Sequence, residues 1–489
     1  MTAGFDHSYA RLGRTYSSVQ QLDPVSAPKL LLWNSTLAAA LEWPSDPLSD
    51  PAQLSALAGN EMLHGTQPIA TAYAGHQFGQ YNPQLGDGRA TLLGEWVTSA
   101  GDRFDIQLKG AGPTPYSRGG DGRSPVGPVI REYLLSEAMN ALGVPTTRAL
   151  AAISSGDPVY RNRLEPGAVL TRVASSHLRV GTVQYFAMTR DGEGLAELVD
   201  YVVQRHFPNY SGEQNAALVL LDGVCAHFAN LVAHWQVLGF VHGVLNTDNA
   251  LLCGETIDYG PCAFMDHFDP TASFSSIDRQ GRYAWPNQPG IMPCTLAVLA
   301  ECLLPLIDTD PTVAQQQAQA VVDRYPQRFH HLHQARLATK LGLDSMKETD
   351  GPLLQAFHDI LAAERLDFTL AFRWLTECAN DTLAHSPLPE LFAAPVALTE
   401  WAQQWAARRK DNAGDTEMLN TNMQSANPVV IPRNHLVQRA IELAEKDETD
   451  WIHAWAARAQ TPFTWDSDDL EWARPPSEEE RVTQTFCGT

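Results

Sequence analysis

Between residues 89 and 174 the chain reads as short strands around a single helix, and from about residue 181 it runs on a helical period instead. The stretch "GDGRATLLGEWVTSAGDRFDIQLKG" predicts a hairpin, with one strand over about 89–98, a turn at "SAGD", and a second strand over about 103–109 that ends on Lys109. A loop rich in Gly and Pro follows. A helix is predicted over about 127–142, with Ile130, Leu134, Ala138 and Leu142 on one face. "TTRALAAIS" and "GAVLTRVAS" read as two further strands. Thereafter "GLAELVDYVVQRHF" and "EQNAALVLLDGVCAHFANLVAHWQVLG" are long and helical, the second ending on Gly239. Segments near 313–341, 349–378, 397–410 and 434–458 also predict helices. The fold class is therefore α+β, a small β-rich part followed by a large helical one.

At 489 residues the chain exceeds one ordinary core, and two to three lobes are expected. Residues 1–62, broken by Pro24, Pro28, Pro44, Pro47 and Pro51, read as an N-terminal extension. Residues 63–180 form the β-rich lobe, 181–410 the helical lobe, and 411–489 a C-terminal extension that carries a terminal cysteine motif.

A formal net charge of −22 argues against a nucleic acid or an acidic membrane as partner, because phosphate binding needs clustered Lys and Arg. The N-terminus lacks a basic region followed by an apolar run. No segment is expected to reach the roughly 20 apolar residues of a spanning helix. "TLAVLAECLLPLI" is short and carries Glu301. Seven scattered cysteines without C-x-x-C fit a reducing cytoplasm, with neither a disulfide framework nor a zinc site.

The chemistry concentrates in "FVHGVLNTDNALLCGETIDYG", residues 240–260. It has the outline of a protein-kinase catalytic loop, H-R-D-x-x-x-x-N, followed by a metal-binding turn. The position of the kinase catalytic aspartate is held by Val244, while the asparagine falls in place at Asn249. Asn249 and Asp258 offer oxygen ligands to a hard Mg²⁺ or Mn²⁺ ion. "ALLCGETI" between them is expected to form a short hairpin, and Asp248 remains as a proton acceptor for an attacking hydroxyl. The bland alternative is a pair of ordinary turns.

Lys109 at a strand end and Glu132 in the first turns of a helix match the pair by which kinases hold a lysine against phosphates; alone they would be a surface lysine and a solvated glutamate. "QLGDGRA" and "RGGDGRSP" bring Gly86, Gly88, Arg89, Asp121, Gly122 and Arg123 into turns that either cradle phosphate or simply reverse the chain. Arg172 and Arg179 in "LTRVASSHLRVGT" either clamp an anion or form surface ion pairs. His76 and the "RNH" at 433–435 read as structural.

The chain resembles the selenoprotein O family, kinase-like proteins that act as protein adenylyltransferases. The resemblance rests on "AGHQFGQYNPQLGDGRA", "DIQLKGAGPTPYSRGGDGR", "REYLLSEAMNALGVPTTRAL", "TRVASSHLRVGT", "HGVLNTDN", "IDYGP", "DRQGRYAWPNQP" and a terminal Cys-x-x, and it runs over nearly the whole chain. It implies a kinase-like bilobal fold in which ATP lies reversed, so that AMP passes to a Ser, Thr or Tyr hydroxyl of a target protein and pyrophosphate leaves. It also implies a role for each matched residue. Asp248 would be the proton acceptor, and Asn249 and Asp258 would bind Mg²⁺ or Mn²⁺. Lys109 held by Glu132 would contact phosphates, and Gly86, Gly88, Arg89, Asp121, Gly122, Arg172, Arg179 and Asp258 would line the nucleotide pocket. Bacterial members are also associated with UMP transfer in the presence of Mn²⁺. Cys487, at the position of the family's selenocysteine, is a redox candidate, although the segment after "DYG" has no cysteine to pair with it and Cys262 is the nearest. A γ-phosphate kinase using Asp248 and a silent ATP-binding scaffold are the alternatives.

Overall fold

The computed structural model describes residues 2–13, 15–466 and 469–486. Thirteen strands occur among them: β1 (Gly4–Asp6), β2 (Ser17–Val19), β3 (Lys29–Trp33), β4 (Ile69–Thr71), β5 (Gly75–Gln77), β6 (Gln80–Asn82), β7 (Ala90–Val97), β8 (Arg103–Lys109), β9 (Ser124–Pro125), β10 (Arg148–Tyr160), β11 (Leu164–Ala174), β12 (Phe240–Val241) and β13 (Ala263–Phe264). Nine form one antiparallel sheet along the order β2-β4-β7-β8-β11-β10-β3, with β1 beside β7 and β9 beside β11. The hairpin expected over about 89–109 is present as β7–β8, and the two further strands expected are β10 and β11, which pair with each other.

The proline-broken first 62 residues supply both edges of this sheet. β2 pairs with β4 at one side, and β3 pairs with β10 at the other. Their strands are three to five residues long, too short to show a period.

The helix Val126–Ala141 packs against β10 and β11 on one side and the helix Asn434–Ala444 on the other. Thirteen of its residues are buried, charged Arg131, Glu132 and Glu137 among them, so the single apolar face read from the sequence is a nearly all-round buried surface. The helix Ala216–Leu238 starts at Asn215, whose side chain accepts from the Leu218 N–H, and ends at Gly239 in the left-handed conformation (φ 68°).

Two readings need correction. The helices Ala216–Leu238 and Trp285–Ile307 are long and apolar enough to cross a membrane by length and composition. Polar residues such as His227, Asn230 and His234 hid the first from a count of consecutive apolar residues. In this fold the two pack against each other, and the first also lies along Tyr325–Leu341. Three of the long helical segments are also broken. Tyr325–Leu341 is preceded by a separate helix, Pro311–Val322. Gly351–Ala363 and Phe368–Asn380 are divided at Arg365 (φ 51°), and Asn434–Ala444 and Asp450–Arg458 at Asp447 (φ 64°). Left-handed residues cannot continue a right-handed helix.

The C-terminal segment returns to the loop after Asp258. Thr485 donates its N–H to the Phe274 carbonyl at 2.8 Å and accepts from Ser276 N–H at 3.0 Å. Cys487 lies outside the described residues.

Candidate active site

β12 and β13 pair antiparallel and bracket the loop that carries the aspartates. Thr247–Asn249 form one tight helical turn, and Asp258 adopts the left-handed conformation (φ 66°). Asn249 Nδ2 donates to Asp258 Oδ2 at 3.0 Å and to the Val244 carbonyl at 3.1 Å. The intervening segment is not the hairpin expected. It is clipped to two neighbouring stretches instead, with Leu252 N–H donating to Leu178 carbonyl and Thr256 N–H to Pro145 carbonyl, each at 2.9 Å. Those partners are remote in sequence, so local spacing could not reveal them.

Asp248 is 7% exposed. Its Oδ2 accepts from Gln77 Nε2 at 2.9 Å, while its Oδ1 is buried with no hydrogen-bond partner among the described residues. Burial pushes the Asp248 carboxyl above the usual carboxylate range, the Gln77 bond only partly opposing it. Val244, at the position of the kinase base, is an apolar side chain buried in the wall beside it.

Across the cavity, Lys109 Nζ donates to Glu132 Oε2, and Arg172 Nε donates to Glu132 Oε1 at 2.6 Å. All three are buried, which removes the surface alternatives for Lys109 and Arg172. Burial pulls the Lys109 ammonium below its ordinary value. Burial would raise the Glu132 carboxyl, but Arg172 and then Lys109 hold it down to about 2. Arg172 is further fixed by Nη1 donating to Gln107 Oε1 at 3.0 Å, so it meets any ligand with part of its fork already engaged. Arg179 lies over the Tyr73 ring at 4.3 Å, sits 3.7 Å from Asp87, and donates to the Asp248 carbonyl at 2.8 Å.

These two walls face one cavity of about 700 Å³. It is lined by Gly86, Gly88, Arg89, Lys109, Asp121 and Gly122, and equally by Arg172, Arg179, Asp248, Asn249 and Asp258. Glu132 stands behind Lys109. The glycines have a packing reason to be glycine: a Cβ on Gly86 (φ 72°) would sit 2.3 Å from the Tyr116 ring, and one on Gly122 (φ 63°) 2.0 Å from the Gly112 carbonyl oxygen. Asp121 is already engaged, its carboxylate receiving both Nη atoms of Arg161 at 2.8 and 2.9 Å. Arg123 is likewise turned to Asp23, at 2.6 Å.

Sequence reasoning missed Tyr73, Gln77, Asp87 and Arg161. Asp87 lay inside the "GDG" already singled out, where its carboxylate accepts from Thr71 N–H and Oγ1. Nothing in the local pattern marks the other three.

Among the described residues no group of three or more His, Cys, Asp or Glu side chains stands ready to hold a metal. Asn249 and Asp258, joined side chain to side chain, offer an oxygen donor set on one wall. That fits a hard divalent cation whose remaining ligands are phosphate and water.

A buried lysine–glutamate pair opposite an aspartate–asparagine pair, across one cavity, is an arrangement suited to an enzyme that handles phosphate groups. The family model described as protein adenylyltransferase SelO matches residues 1–460, and the chain belongs to that family. It is 48% identical over 489 residues to a protein nucleotidyltransferase YdiU of Bradyrhizobium sp. (strain BTAi1), covering 99% of each chain. It is also 48% identical to the protein of the same name from Rhodopseudomonas palustris (strain BisB5), again over 99% of each. To that of Rhizobium johnstonii it is 47% identical over 99% of this chain and 97% of the relative.

Proposed function

We propose that this protein transfers AMP from ATP to hydroxyl side chains of other proteins. The observation that carries the reading is the cavity itself. Its cationic wall is Lys109 and Arg172 on Glu132, its acidic wall is Asp248, Asn249 and Asp258, and Val244 stands where a kinase has its base. The acceptor hydroxyl oxygen attacks the α-phosphorus while its proton passes to Asp248. The bond from the α-phosphorus to the bridging oxygen breaks, and pyrophosphate leaves with the electron pair. The product is a phosphodiester joining AMP to the target. Lys109, Arg172 and Arg179 stabilise charge on the phosphates, and fixed cations in a partly dry site do this without reorganising. Mg²⁺ or Mn²⁺, held by Asn249 and Asp258, would neutralise further phosphate charge when bound.

On this reading 63–180 and 181–410 are the two lobes of a kinase-like fold, with 1–62 an extension that lends its short strands to the edges of the first lobe's sheet and 411–489 a second extension. The scattered cysteines favour a cytoplasmic setting. The net charge of −22 favours proteins, not nucleic acids, as partners.

The test is to incubate the protein with ATP labelled at the α- or the γ-phosphate, with Mg²⁺ or Mn²⁺, beside Asp248→Ala. Label on protein from α-labelled ATP only, lost in the variant, is the expected result. Label from γ-labelled ATP overturns the reading in favour of a kinase, and parallel reactions with UTP decide the nucleotide.

A further inference from the structure

Three successive residues of the β5–β6 hairpin clasp the loop that carries Asp248. His76 N–H donates to Thr247 Oγ1 at 2.7 Å, Gln77 Nε2 to Asp248 Oδ2 at 2.9 Å, and Phe78 N–H to Asn246 Oδ1 at 3.1 Å. The hairpin is itself braced. Gln184 Nε2 and His76 Nδ1 lie 2.7 Å apart, and Tyr283 hydroxyl also donates to Asn246 Oδ1, at 2.7 Å. Of these contacts only the Gln77 bond reaches a group that the proposed chemistry uses. The others hold backbone and flanking side chains.

A carboxylate has two oxygens and, on its own short side chain, a broad choice of χ2. Fixing one oxygen fixes where the other points. Here the fixed oxygen is Oδ2, and the other, Oδ1, is buried without a hydrogen-bond partner among the described residues and lies on the Gly75 side, 2.6 Å from where a Cβ there would stand. A buried polar atom left unpaired is costly unless a ligand completes it. We infer that Gln77 is a positioning residue: it anchors Oδ2 of Asp248 and so fixes the orientation in which this carboxylate, on the cavity wall, meets the hydroxyl of the incoming protein. This rests on the reading of Asp248 as proton acceptor. A neutral amide suits the task, because it donates to the carboxylate without adding a second titrating group or a cation that would compete for nucleotide phosphate.

The test compares wild type, Gln77→Met and Gln77→Ala, each with and without Asp248→Asn, using α-labelled ATP and casein as added acceptor. Binding of a fluorescent ATP analogue and thermal melting are read on the same proteins. Methionine keeps the length of the side chain and removes the donor. Both Gln77 variants are expected to lose on the order of 10²-fold in kcat, the scale of a misplaced reacting group. KM for ATP, analogue affinity and melting should stay within about twofold or a few degrees of wild type. Neither substitution should lower the residual rate of Asp248→Asn, since residues acting as one unit are non-additive.

Full activity in Gln77→Met would make the side chain a space-filler and overturn the inference. So would a loss shared equally by analogue affinity and melting. An additional loss on top of Asp248→Asn would show that Gln77 acts elsewhere. If Asp248→Asn retains wild-type transfer, the proton-acceptor reading fails and the inference falls with it. If Asp248→Asn is inactive while Gln77→Met is normal, only the inference fails.

Discussion

Asn249 donates through Nδ2 to Oδ2 of Asp258 at 3.0 Å, across eight residues of intervening chain. The bond commits the amide nitrogen to the carboxylate and leaves the amide oxygen beside it, so the pair presents oxygen ligands together. Asp258→Asn is expected to lower transfer by on the order of 10²–10³-fold, the typical cost of removing one electrostatic group. Chelation of divalent ions should abolish wild-type activity, and titration with Mn²⁺ should show a weakened metal requirement in the variant. Activity measured against metal concentration checks both.

Glu132 holds two buried cations at once. Removing it in Glu132→Ala leaves Lys109 and Arg172 uncompensated, and breaking a buried pair of this kind costs about 3–5 kcal/mol. A clearly lowered melting temperature is expected along with lost activity, measured by calorimetry. The pH dependence follows from the carboxyl's folded value of about 2, below its ordinary 4.5. A depressed carboxylate contributes stability that is full above the unfolded value and fades as pH falls from about 4.5 towards 2. Wild type should therefore lose more stability than Glu132→Gln across that window.

Lys340 is 2% exposed and lies over the Phe372 ring at 4.3 Å, where burial pulls its ammonium down to about 7. Here the folded value lies below the ordinary 10.5, so burying the charged form costs stability in full below pH 7. That cost shrinks by about 1.4 kcal/mol per pH unit as pH rises from 7 towards 10.5. Lys340→Met should stabilise the protein at pH 6 and give progressively less benefit by pH 9. Melting curves at both values check the sign.

Gly75 is a glycine for reasons of space. It is not in the left-handed region, yet a Cβ there would lie 2.6 Å from Asp248 Oδ1 and 2.7 Å from a Leu85 methyl. Gly75→Ala should fold and bind nucleotide while losing most transfer activity. Labelled transfer and analogue binding on one preparation separate the two effects.

Local signals placed much of this molecule. Short strand-like runs, alternating over β8, located β7, β8, β10 and β11. A glycine that must adopt a left-handed cap ended the long helix at Gly239. The spacing of Lys109, Glu132, Asp248, Asn249 and Asp258 picked out side chains that share one cavity or stand directly behind it. Such features are written in a few consecutive residues, because strand alternation, helix capping and tight turns depend on near neighbours in the chain.

What only the tertiary structure decided is who meets whom. Gln77 reaches Asp248 across 171 residues, and Arg161 reaches Asp121 across 40. Short β2 and β3 become sheet edges only because β4 and β10 offer them open backbone groups. A glutamine, a tyrosine or a three-residue strand has no period of its own, and its role is set by the partner that folding brings to it.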